Sequence, residues 1–140
     1  MPDSEDAHLI LKLYDLRREK VMREARSWFA NEFHPKSAEE VLAALQGDKG
    51  AYLRMVGSYW QMAATLVNHG TINAALFNEC NGEHIFYYAK MEPFLAGMRE
   101  KYGPNFMSAL EKLVKTDPKH ADTLRDMKQR IAGMAAAAKK

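Results

Sequence analysis

The sequence predicts an all-α protein, a single domain spanning residues 1–140 in which six or seven helices pack as one array. Three observations carry that prediction. Apolar residues recur at spacings of three and four through most of the chain, as one face of a helix requires. No stretch alternates apolar and polar residues with β-branched enrichment over the length of a strand, and only "VNHGTI" and "HIFYY" look briefly strand-like. Helix start and stop residues (Ser, Asp, Gly and Pro) fall between the periodic segments.

Each element follows from local chemistry. A long first helix is predicted from Ser4 or Glu5 to Phe33, with Asp3 or Ser4 accepting hydrogen bonds from its free N–H groups. Its inner stripe is Ile10, Tyr14, Val21, Ala25 and Trp28, widened by Leu13, Met22, Phe29 and Phe33. Glu19–Arg23 and Lys20–Glu24 pair along the outer face. Pro35 disfavours helical geometry at His34 and ends the segment. Ser37 and Glu40 form a capping box that starts a short helix through about Leu45.

A third helix is predicted from about Lys49 to Asn68, with Leu53, Val56, Trp60, Ala63, Ala64 and Val67 inward. Gly70 stops it by taking a left-handed conformation. Thr71 is then expected to cap a short helix from Ile72 to Glu79 or Cys80, with a second corner of the same kind at Asn81-Gly82. From Glu83 the helical pattern resumes as a central helix that Pro93 kinks or splits, because proline lacks an N–H and clashes with the carbonyl of Ala89. Gly103-Pro104 ends that helix, and Pro104 is expected to open the next, Asn105 to about Lys115. Asp117 and Pro118 start the last, with Ala121, Leu124, Met127 or Lys128, and Ile131 inward. Residues 1–4 and 135–140 are predicted to fray.

Composition removes several functions. The longest apolar-leaning run, Met55–Leu66, is interrupted by Gly57, Ser58 and Gln61, whereas a membrane span needs about 20 predominantly apolar residues. The start "MPDSEDAH" is acidic where a signal peptide is basic and then apolar. One cysteine permits no intrachain disulfide, which fits a cytoplasmic location. The net charge of +2 divides into 11 Lys+Arg against 14 Asp+Glu over residues 1–100, and 9 against 4 over residues 101–140. The basic cations of the C-terminal segment, Lys112, Lys115, Lys119, Arg125, Lys128 and Arg130, raise weak nucleic-acid binding as a second alternative function. Nucleic acid is nevertheless a disfavoured partner: a bias this small reads as a solvated face. The helix after Gly70, "TINAALFNEC", carries no Lys or Arg to serve as a recognition helix.

Spacing removes more. The chain contains no His-Glu-x-x-His, no phosphate-cradling glycine loop and no nucleophile-elbow serine. No catalytic residue, cofactor or metal site is therefore predicted. The one polar concentration is Val67–Tyr88, which holds His69, Glu79, Cys80, Glu83 and His84. Glu79 and Glu83 are four apart, as are Cys80 and His84, but Asn81-Gly82 interrupts any helix that would align them. The stretch reads as two corners flanking a short helix. If those corners fold together, a ligand site would draw on Trp60, His69, Glu79, Glu83, His84 and Tyr88. The nine methionines fill irregular helical cores and equally suit an adaptable groove.

The motifs Glu24-Ala25-Arg26, His69-Gly70 with its apolar flanks, and Pro93 through Arg99 resemble those of an uncharacterised bacterial family of small all-helical domains. The resemblance spans roughly residues 20–115. It implies a helical fold and carries no catalytic residue, because that family has no assigned activity. Some of its members bear an N-terminal membrane helix, from which this polar N-terminus departs. The chain thus reads as a protein-interaction or scaffold domain that self-associates, with a homodimer expected through the broadly apolar helix around Pro93. The alternative is a small-molecule- or metal-binding enzyme using the polar residues around His69 and His84. No membrane partner is expected.

Overall fold

The computed structural model describes residues 2–138, which form nine α-helices with no strand among them. They are α1 (Ser4–Arg17), α2 (Lys20–Asn31), α3 (Ala38–Gln46), α4 (Gly50–Asn68), α5 (Ala74–Cys80) and α6 (Glu83–Met91). A 3-10 turn, Glu92–Phe94, then leads into α7 (Leu95–Tyr102), followed by α8 (Ser108–Thr116) and α9 (His120–Ala138). The fold is all-α, with the Pro93 interruption where the proline requires it. Helix α4 is the hub, packed by α2, α3, α5 and α8, and all six residues assigned to its inner side are buried. Helix α6 fills the rest of the centre against α8 and α9. Its broad apolar circumference is therefore largely covered within this chain.

The long first helix is a correction: it is two helices. Glu19 leaves helical geometry at ψ 144°, and its carboxylate accepts from the Met22 N–H at 2.9 Å, capping α2. The residue read as half of an i,i+4 pair is thus an N-cap. The break also resets the phase of the stripe. Ile10, Leu13, Met22, Ala25, Trp28, Phe29 and Phe33 are buried, while Tyr14 and Val21, expected inward, are exposed. At the start of α1, Asp3 and Asp6 exchange side-chain to backbone bonds, and Asp6 also accepts from the Asn73 N–H at 2.7 Å. Those backbone donors, Asp3 first and then Asn73, hold the Asp6 carboxyl below its usual range.

Other boundaries move for similar reasons. Ser37 caps α3 as expected, although Glu40 returns its carboxylate to the Lys36 N–H. Gly70 takes φ +79° after α4, where a side chain would be strained. Asn73, not Thr71, caps α5, because Thr71 and Ile72 spend their N–H groups on the Leu66 carbonyl. The Asn81-Gly82 corner does not repeat the left-handed device: Gly82 sits at φ −137°, and Asn81 bonds to Phe77 and Arg17 instead. Helix α8 starts at Ser108 rather than Asn105. Met107 cannot cap it, so Gln61 on α4 supplies the missing acceptor to the Leu110 N–H at 3.1 Å. Asp117 accepts from the Lys119 N–H ahead of α9. Within α9, Leu124 and Met127 pack on the core, while Ala121, expected inward, is exposed. Helix α9 runs through Ala138; Met1, Lys139 and Lys140, within the termini expected to fray, lie outside the described residues.

One core feature has no counterpart in the apolar pattern. Lys90, only 3 % exposed, drives its ammonium into the end of α2 and donates to the carbonyls of Phe29 (2.5 Å), Phe33 (2.7 Å) and Ala30 (3.4 Å). Phe29 and Ala30 belong to the last turn of α2 and Phe33 follows its C-cap Glu32, so the cation meets the negative end of the helix dipole. The rings of Phe29 and Phe86 flank it, and burial pulls its pKa down to about 8.

Candidate functional site

The six residues singled out from the sequence fall into separate environments. His69 and Glu79 are exposed. Glu83 forms a two-pronged ion pair with Arg26, both bonds at 2.8 Å, which ties α6 to α2. His84 and Trp60 do meet, with ring centroids 5.6 Å apart, and Phe77 (5.1 Å) and His120 (6.3 Å) complete the aromatic surroundings of the imidazole. Neither ring nitrogen of His84, nor the indole N–H of Trp60, has a hydrogen-bond partner among the described residues. Burial first, then the charges of His120 and Arg17, push the His84 pKa down to about 3, so it is a neutral core aromatic at physiological pH.

Tyr88 lies in a different network. Its hydroxyl is shared between the carboxylates of Glu92 (3.0 Å) and Glu111 (3.2 Å), which Arg99, Lys115 and Lys128 in turn neutralise. Three of the six C-terminal cations are thereby paired, Arg125 with Asp122 and Lys115 and Lys128 with Glu92. Among the described residues no group of three or more His, Cys, Asp or Glu is placed to hold a metal ion, and no helix is long and apolar enough to cross a membrane.

A cavity with the dimensions of a ligand site and a largely apolar lining lies elsewhere. A cavity of about 600 Å³ opens between α3, α4, α7 and the α7–α8 turn, within the size range of small-molecule sites. Its α4 wall presents Arg54, Gly57, Ser58 and Gln61, positions i, i+3, i+4 and i+7, which share one helix face. The rest of the lining is mostly apolar, with Leu45, Phe106 and the buried Met91, Met98 and Met107, and Gln46, Tyr102 and Asn105 add polar atoms to it. Tyr87 closes the inner end. A Cβ on Gly57 would stand 2.5 Å from the Tyr87 hydroxyl, so only glycine lets that hydroxyl lie against α4. The hydroxyl has no hydrogen-bond partner among the described residues, and burial raises its pKa.

The cavity rim also stores strain. Met107 is buried with φ +60° and ψ +20°, a left-handed conformation that costs a non-glycine residue on the order of 1 kcal/mol or more. Arg99 fixes the preceding turn by donating to the Phe106 carbonyl at 3.0 Å, and Gln61 fixes the helix that follows. Sequence reasoning passed over this site, though its signal was present. Gly57, Ser58 and Gln61 are the three residues that interrupt the run Met55–Leu66, and all three line the cavity.

Comparison with known proteins places the chain. A family profile described as "Domain of unknown function (DUF4760)" matches residues 2–116. The chain belongs to this family. The DUF4760 match covers α1 through α8 and with them every element that lines the cavity, while α9 follows it. No curated protein and no solved structure matches the chain.

Proposed function

We propose that this DUF4760 domain is a binding module that takes a small, largely apolar molecule into the cavity beside α4. The observation that carries this reading is a pre-formed cavity of about 600 Å³ with a largely apolar lining, along which α4 sets Arg54, Ser58 and Gln61 and, over Gly57, the Tyr87 hydroxyl. Apolar walls with a few placed polar groups are the usual composition of such sites. Methionine suits a ligand of variable shape, because its unbranched side chain repacks at low cost. Methyl NMR with octanoate as probe tests the reading: Met91, Met98 and Met107 should respond together, and the exposed Met62 should not.

Self-association is a second reading, and exposed apolar residues favour it. Leu11, Tyr14, Leu16 and Val21, on α1 and at the start of α2, are all more than 40 % exposed. This moves the preferred homodimer surface from the helix around Pro93 to the first helix pair. Light scattering at high micromolar concentration should report a dimer that Leu11→Glu converts to monomer; a monomeric wild-type protein would end this reading. A cytoplasmic location remains part of the proposal, supported by the exposed, unpaired thiol of Cys80.

A further inference from the structure

We infer that the cavity ligand is an amphiphile with one anionic head, held by Arg54, and an apolar body lying along the methionine wall. The inference rests on the cavity reading and adds the ligand class. Arg54 is the only Lys, Arg, Asp, Glu or His among the lining residues. It forms no ion pair among the described residues; one guanidinium nitrogen donates to the Leu45 carbonyl at 3.0 Å, and the side chain is exposed at the mouth.

That single bond orients the guanidinium and leaves further N–H donors in a planar fork suited to a carboxylate. Along α4 from Arg54, the Tyr87 hydroxyl over Gly57, Ser58 and Gln61 continue a polar edge. Seven residues of helix make that edge about 10 Å long. The rest of the lining is mostly apolar, Leu45 and Phe106 with the buried Met91, Met98 and Met107 behind, and carries no second charge. An anionic head at Arg54 is thus followed by a chain that lies between a polar edge and a deformable apolar wall. A divalent cation would find no carboxylate there, and a polyanion would find one guanidinium only.

The test is calorimetric titration of the full chain with octanoate and, separately, with octanol, which shares the tail and lacks the charge. Wild-type protein, Arg54→Gln and Ser58→Trp are compared, each checked for an unchanged melting curve; Arg54 and Ser58 are exposed, so both substitutions leave the core intact. Octanoate should bind more tightly than octanol. Arg54→Gln should weaken octanoate about ten-fold or more and leave octanol unchanged, as loss of one charge-assisted contact requires. Ser58→Trp should weaken both by filling the cavity. Octanol binding as tightly as octanoate, or Arg54→Gln affecting both ligands equally, overturns the anionic-head assignment while the cavity reading stands. Binding of neither ligand overturns both.

Discussion

Lys90→Met should destabilise the protein by about 3 kcal/mol at pH 7, measured as a shift in the urea unfolding midpoint. The substitution keeps the length and apolar character of the side chain, so the loss isolates the ammonium. Lys90 donates two short bonds, to Phe29 and Phe33, and a longer one to Ala30. Bonds from a charged donor are each worth about 1.5–3 kcal/mol, and their removal strands carbonyls in a place water does not reach. The intrahelical donors cannot substitute, because the Glu32 and Phe33 N–H groups both go to Trp28. Against this stands the relief of burying a charge, about 1.4 kcal/mol for each unit by which the pKa is depressed. With the pKa at about 8 against an ordinary lysine value, that relief offsets only part of the stranded carbonyls. Unchanged stability would show that the cation contributes nothing net to the end of α2.

The second large effect is a pH dependence traceable to His84. Its folded-state pKa of about 3 lies well below the ordinary histidine value of 6.5. The unfolded chain therefore binds a proton that the folded chain refuses, and stability falls as pH drops through the window from 6.5 towards 3. Above 6.5 both states are neutral and the contribution vanishes. Between pH 6.5 and 5 the expected loss is about 2 kcal/mol, at about 1.4 kcal/mol per unit. The carboxylates held low in the fold, Asp6, Glu19, Glu92 and Glu111, act only at lower pH. His84→Leu should remove this component of the slope in urea unfolding at the two pH values. Equal slopes for the two proteins would mean that the imidazole is not shielded as its position under Trp60 and Phe77 implies.

What the sequence revealed and what it hid divide along a physical line. Ser37, Gly70 and Pro93 act within a few residues of themselves, so the α3 cap, the end of α4 and the split of the central helix were all legible. Glu19 was misread because a glutamate inside a charged helical run carries no local mark of being an N-cap; the break shows only once α1 and α2 pack at their own angles. The start of α8 depends on Gln61, some fifty positions earlier, and no short window contains both. Lys90 is similar: its meaning comes from carbonyls on α2.

The candidate site was hidden for the same reason. His69, Glu79, Glu83 and His84 are close in sequence, and the fold sends them to solvent, to an ion pair and into the core. Gly57 and Ser58 looked like flaws in an apolar helix. They acquire meaning only when Tyr87 and Met98 are placed opposite them. Family membership extends the helical reading over residues 2–116 without supplying a chemistry.

Whether the space beside α4 receives a ligand is decided by NMR of protein labelled at its methionine methyl groups and titrated with octanoate. Met91, Met98 and Met107 should shift together and saturably, Met62 and Met127 should stay in place, and Ser58→Trp should abolish the response. Absence of any shift, equal shifts at all methionines, or a response that survives Ser58→Trp would contradict binding there.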